Sequence, residues 1–198
     1  MTDNESDCKK LAPVWESLTS DFAAESNVLI AKVDCEAPTA KAIAADQGVK
    51  SYPTIKYFPK GSKEAVDYTG GRTEADFVEF MNEKAGTHRM VGGGLDITAG
   101  TIDTLDSIVS TMTGSNMAEI QEQLTKAAVD AKDKYAEYYV KVANKLKENQ
   151  VYAEKELARL EGLIKKGGLA PEKLDDLTSR SNILRKFKGE EPVVEKEL

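Results

Sequence analysis

The sequence predicts an α/β domain followed by an all-α helical bundle. Three observations carry this expectation. Between residues 28 and 68, apolar runs of strand length alternate with turn residues and are flanked by stretches of helical spacing. Three glycines, Gly92-Gly93-Gly94, then interrupt the pattern. Beyond them every apolar stripe repeats at helical spacing. The chain is accordingly divided into an α/β domain over residues 1–87, a Gly-rich linker over 88–101, a helical domain over 102–188 and a disordered acidic tail over 189–198.

Taken in order, Leu11, Trp15, Leu18 and Phe22 share one helical face, so a helix is expected over residues 8–24, kinked near its start by Pro13, with the segment ending at Asn27. Val28-Leu29-Ile30-Ala31-Lys32-Val33-Asp34 is a nearly continuous apolar run and reads as a buried strand. Residues 40–46 read as a short helix closed by Gly48. Ser51-Tyr52-Pro53-Thr54 is a turn, Ile55-Lys56-Tyr57-Phe58 a second strand and Ala65-Val66-Asp67-Tyr68 a third. Pro59-Lys60-Gly61-Ser62 makes a tight turn, so these two strands should pair antiparallel. Thr73-Glu74-Ala75-Asp76 resembles a capping box with Asp in the Glu/Gln position. It opens a helix carrying Phe77, Phe80 and Met81 that stops at Gly86.

In the second half, Leu105, Ile108, Val109 and Met112 predict a short helix before Gly114. Leu124, Ala128, Ala131, Tyr135, Tyr139, Val142 and Leu146 read as one apolar stripe. Ala153, Leu157, Leu160 and Ile164 form another, ended by Gly167-Gly168. Pro171 suits a helix start, where its missing N–H has no partner to lose. Leu174, Leu177, Leu184 and Phe187 give the last stripe, and together these helices read as a small antiparallel bundle.

Composition removes several function classes. Lys and Arg number 27 against 34 Asp and Glu, a net charge of −7, which argues against a nucleic-acid partner. No apolar run approaches the roughly 20 residues of a membrane span, so no membrane partner is expected. The acidic start, Met1-Thr2-Asp3-Asn4-Glu5-Ser6-Asp7, lacks the apolar centre of a signal peptide, so the chain is expected either to stay in the cytosol or to begin downstream of its true start. A single histidine, His88, and two cysteines, Cys8 and Cys35, speak against a zinc site or a Ser-His-Asp triad, and neither a metal nor a cofactor is expected.

The chemistry-bearing motif is Cys8-Lys9-Lys10-Leu11-Ala12-Pro13, the second half of a dithiol motif. With Val33-Asp34-Cys35-Glu36, Gly48-Val49, Ser51-Tyr52-Pro53-Thr54 and Tyr68-Thr69-Gly70-Gly71-Arg72, it makes residues 8–87 resemble the C-terminal three-quarters of a thioredoxin-like catalytic domain of protein disulfide isomerases. Residues 102–188 resemble the helical D domain attached to a subset of that family, including fungal members, on Gly167-Gly168-Leu169-Ala170-Pro171-Glu172-Lys173 and Leu177-Thr178-Ser179-Arg180-Ser181-Asn182-Ile183-Leu184. The resemblance implies an endoplasmic reticulum folding factor acting on unfolded or disulfide-containing client proteins. It also implies a cis Pro53, with Ser51, Tyr52, Pro53 and Thr54 forming the platform on which a client strand pairs. Without the resemblance Pro53 would be an ordinary turn proline.

The departures matter as much. The family's active site reads Trp-Cys-Gly-His-Cys-Lys; here the stretch is Asn4-Glu5-Ser6-Asp7-Cys8-Lys9. Cys8 falls on the resolving position, Glu5 replaces the attacking cysteine and Asp7 the histidine. Oxidation and reduction cycles need two thiols that close and reopen a disulfide, whereas one thiol can form only a mixed disulfide. A helix start favours negative charge on Cys8, while Asp3, Glu5 and Asp7 oppose it. Cys8 is thus either a residual functional thiol or an inert, partly buried helix residue. Cys35, after the first strand, is expected to be packed and inert.

The family's first strand, first helix and central strand also have no counterpart before Cys8. The exposed edges this leaves could close on each other, be covered in a homodimer or leave the α/β half poorly folded. Two functions follow: thiol–disulfide exchange impaired by the missing cysteine, or non-catalytic client binding through the helical domain, with Tyr138, Tyr139 and Tyr152 either exposed aromatic faces or part of the bundle's core and rim, Tyr139 more so than Tyr138. The terminal Glu195-Lys196-Glu197-Leu198 resembles a Lys-Asp-Glu-Leu retrieval signal with its first two positions altered.

Overall fold

The computed structural model describes residues 4–190, which form two compact units that divide between Gly94 and Leu95. The first unit opens with helix α1 (Asn4–Asp21), which runs through Pro13. Its apolar face buries Leu18 and then Phe22, with Leu11, Val14 and Trp15 half-buried beside them. This face packs on helix α3 (Glu74–Ala85), chiefly through Phe77 and Val78. Between them come the short helix α2 (Lys41–Asp46) and a hairpin of two strands, β1 (Lys56–Tyr57) and β2 (Val66–Asp67).

The hairpin is antiparallel, with Lys56 opposite Asp67 and Tyr57 opposite Val66; the Lys56 ammonium meets the Asp67 carboxylate across it. Aromatic rings tie it to α3. Tyr57 meets Phe80 edge-on at 5.5 Å, and Tyr68 meets Phe80 at 4.8 Å and Phe77 at 5.1 Å. Such pairs contribute roughly 0.5–1.5 kcal/mol each beyond their burial. The capping box is present as expected: Thr73 accepts from the Asp76 N–H at 3.2 Å and Asp76 accepts from the Thr73 N–H at 2.9 Å. Gly86 ends α3 at φ +65°, a left-handed position that favours glycine.

One expectation fails outright. Residues 28–34 are not a strand. Val28 and Ile30 lie against the core, but Leu29 is 89% and Val33 60% exposed. An apolar run encodes burial on both faces only if neighbouring strands and covering layers exist. Among the described residues the sole ladder is β1–β2, so the run forms no strand and stays half uncovered.

The second unit is all helical: α4 (Asp103–Ser110), α5 (Met117–Ala131), α6 (Ala136–Glu148), α7 (Tyr152–Lys166) and α8 (Pro171–Lys188). Each helix packs on the next, and α8 returns against α4 and α6. Leu105, Leu124, Tyr139, Val142, Ala143, Ile183 and Leu184 are wholly or almost wholly inaccessible at its centre. Pro171 takes the first turn of α8 and Gly189 closes it at φ +68°.

Two readings are corrected here. The stripe from Leu124 to Leu146 is two helices rather than one: Lys132 adopts φ +48°, breaking the chain between α5 and α6. Periodicity survived the break because both helices face the same core. Of the two readings open for Tyr138 and Tyr139, the exposed one fails: they are 7% and 0% accessible, and core packing holds for both. The Gly-rich stretch divides between the units. Thr87 and Arg89 are tied to Asn82, while Asn182 donates to the carbonyls of Asp96 and Ala99 at 2.9 and 3.1 Å. The retrieval-like tail and Met1–Asp3 lie outside the described residues.

Candidate functional site

Cys8 sits in the second turn of α1, half-buried and free. Its place follows from the helix itself: Leu11, Val14, Trp15 and Leu18 turn to the core, which leaves the N-terminal end at the rim of the unit. Beside it in sequence, Asp7 pairs with Lys10 at 3.4 Å on the exposed face. Cys35 is likewise free and half-buried, so no disulfide joins the two.

The predicted platform is a bend of four residues ahead of β1. The Tyr52–Pro53 peptide is cis. The Thr54 hydroxyl donates to the Ser51 carbonyl at 2.6 Å, closing the bend, and Arg72 Nη2 reaches the Pro53 carbonyl at 3.4 Å. Ser51, Tyr52 and Thr54 are exposed, and Pro53 is half-buried. The structure therefore brings Ser51, Tyr52, Pro53 and Thr54 together as one turn held by Arg72. Among the described residues no hydrogen bond ties Cys8 to that turn.

A feature missed from the sequence lies next to the platform. Cys35, Glu36, Lys41, Ala44, Ala45, Val49 and Tyr52 line one open depression of about 440 Å³. Cys35 was expected to be packed and inert, but it stands half-buried on this wall. The reason is the same as for Leu29: the run before it never becomes a covered strand. Among the described residues no group of three or more His, Cys, Asp and Glu could hold a metal ion, and no helix is long and apolar enough to cross a membrane. Chemically, Cys8 and Cys35 are each a single free thiol, and Cys35 shares its depression with Tyr52.

Comparison with known proteins fits this geometry. Residues 6–83 match the thioredoxin family and residues 100–187 the C-terminal domain of endoplasmic reticulum protein ERp29. The chain is 59% identical over 191 residues to protein disulfide-isomerase tigA of Aspergillus niger, covering 96% of this chain and 52% of the relative. It is 56% identical over 185 residues to protein disulfide-isomerase erp38 of Neurospora crassa, covering 91% of this chain and 50% of the relative. A third relative, protein disulfide-isomerase C17H9.14c of Schizosaccharomyces pombe, is 35% identical over 188 residues, 91% of this chain and 51% of the relative. The chain thus spans about half the length of the curated relatives it matches. With a thioredoxin domain running into an ERp29-type helical domain, it belongs to the protein disulfide isomerase family.

Proposed function

We propose that this chain engages disulfide-bearing client proteins in the endoplasmic reticulum lumen and forms a mixed disulfide through Cys8 without completing a redox cycle. The observation that carries the reading is Cys8 itself: a free thiol near the start of α1, with Glu5 where the motif's other cysteine would stand. The step conserves electrons. The Cys8 thiolate attacks one sulfur of a client disulfide; a Cys8–client bond forms, the client S–S bond breaks, and the second client sulfur leaves as thiolate. Release then needs a thiol from the client or from solution, because the chain supplies no neighbouring partner. The exposed bend Ser51-Tyr52-Pro53-Thr54, braced by Arg72, is the surface on which an extended client segment would lie. The names of the relatives support the family chemistry, and the ERp29-type domain supports the compartment.

The test is a labelled disulfide client offered in excess to the purified chain. The expected result is at most one equivalent of mixed disulfide, lost in Cys8→Ser and kept in Cys35→Ser, with no further turnover unless a small thiol is added. Sustained turnover by the chain alone, or an adduct untouched by Cys8→Ser, sinks the reading. The alternative of client binding through the helical unit finds less support than the sequence suggested, since two of its three tyrosines lie in the core.

A further inference from the structure

The last residues of the first unit do not trail away from it. Asn82 on α3 accepts from the Thr87 hydroxyl and the Arg89 N–H, each at 2.9 Å, and donates to the Arg89 carbonyl at 2.7 Å. Arg89, 5% exposed, sends Nε to Glu25 at 2.7 Å and Nη1 to the Gly93 carbonyl at 2.9 Å. Met90 N–H and Gly93 N–H close the turn on the carbonyls of Gly94 and Met90. Gly93, at φ +78°, lies so close to Asp21 that a Cβ there would stand 3.2 Å from the Asp21 Cα. Residues 87–94 are therefore a strap drawn across the end of α1 and the start of α3.

Beneath the strap sits an unusual pair. Asp21 is 5% exposed, and its Oδ2 is buried with no hydrogen-bond donor. The Glu74 carboxyl, at the first turn of α3, lies within hydrogen-bonding reach of it, and also meets the Gly92 N–H and the Ser17 side chain. A buried carboxylate oxygen without a donor is costly, and two facing carboxylates repel. A single proton between them removes both penalties.

We propose that Asp21 and Glu74 share one proton and that this proton governs how tightly residues 87–94 are strapped to the α/β unit. Burial, followed by the Asp21 carboxyl beside it, pushes the Glu74 carboxyl above the usual carboxylate range, while the Gly92 N–H and Ser17 work in the opposite direction. Glu25 and Arg89 also face the strap and are joined to each other, and His88 lies within the strap itself. The sign follows from linkage. A carboxyl raised in the folded state stabilises that state below its unfolded value and loses the contribution as pH rises through the folded value. The strap is held in acid and loosens towards neutrality, at the point where the first unit gives way to the second.

Hydrogen exchange of the Met90, Gly92 and Gly93 amides in the full chain tests this, between about pH 4.5 and about pH 7.5 and corrected for intrinsic exchange chemistry. Protection should fall roughly tenfold across that range in the natural sequence. In Glu74→Gln the side-chain amide donates to Asp21 at every pH, and in Asp21→Asn it donates to Glu74, so both variants should keep acid-level protection throughout. His88 is present in all three proteins, so whatever it contributes is common to them. Flat protection in the natural sequence, the same pH profile in both variants, or a strap exchanging freely at every pH in either variant overturns the proposal.

Discussion

Replacing Tyr139 by Phe should cost the helical unit about 2 kcal/mol, because its hydroxyl joins two helices at once. The ring is wholly buried and packs on Phe187 at 5.9 Å. The hydroxyl accepts from the Ile102 N–H at 3.1 Å, the N-cap of α4, and donates to the Asp106 carboxylate, whose other oxygen pairs with Lys186 at 3.2 Å. The variant keeps the ring and its packing. It loses one charge-assisted hydrogen bond and leaves a backbone donor unmet, against a small gain from no longer burying an oxygen. For a unit of this size that cost corresponds to a fall in Tm of about 10 °C.

Far-UV circular dichroism follows the helices. The single tryptophan, Trp15, lies in the other unit and reports that transition separately. Alkali gives a second readout. Burial, and then the hydrogen bond to Asp106, push the Tyr139 hydroxyl far above its ordinary value. Unfolded chains ionise this group near pH ~10 while the native state does not, so its contribution is intact below that pH and declines above it. The natural protein should lose stability above pH ~10 more steeply than the variant. A loss under about 0.5 kcal/mol, or equal alkaline slopes, would show that the hydroxyl is not the tie described here.

Other outcomes follow from single residues. Lys132→Gly relieves a left-handed backbone at the α5–α6 break and should raise the stability of the helical unit by about 1 kcal/mol, read by denaturant titration. Gly86→Ala meets open space but must hold φ +65°, so it should lower the Trp15-detected transition by about 1 kcal/mol. Leu29→Ser, at 89% exposure, should change stability by less than about 0.5 kcal/mol, whereas Ile183→Ala, at 0%, should cost about 2–5 kcal/mol. A large loss from Leu29→Ser would mean that residues 28–34 are covered in solution.

The helical half was largely legible in the sequence because a helix satisfies its own backbone. Pro171, Gly167-Gly168 and the apolar stripes needed only local spacing to be read, and Leu177, Leu184 and Phe187 are buried on the expected face, whereas Leu174 on the same stripe is exposed. The break at Lys132 was not legible: a lysine gives no sign of a left-handed conformation, and Ala131 and Tyr135 preserved the period across it. In the α/β half, the capping box at Thr73 and the hairpin were readable for the same local reason. Residues 28–34 were misread because a strand is defined by its neighbours, and an apolar run says nothing about whether they are there. The cis turn at Tyr52-Pro53 was expected from the resemblance alone, while its brace from Arg72 and the depression shared by Cys35 and Tyr52 join residues too distant in sequence for spacing to reveal.

That contrast bears on where the chain keeps its stability. In the helical unit most residues lie in the five helices, and the buried side chains form one continuous cluster from Leu105 to Phe187. In the first unit the buried cluster is Leu18, Phe22, Phe77 and Val78, all on α1 and α3 or just beyond α1. Between residues 28 and 64 only Ala40 is buried, and the backbone bonds there are mostly turn closures of three or four residues. Local opening free energy tracks buried apolar contact and shielded hydrogen bonds. Amide exchange should therefore divide the chain sharply: strong protection in α6, α7 and α8, intermediate protection in α1 and α3, and near-intrinsic exchange from residue 28 to residue 64. Comparable protection of residues 28–34 and α8 in the isolated chain would mean that the extended run has found a strand partner in solution, and the same experiment repeated at tenfold lower concentration would tell whether that partner is a second copy.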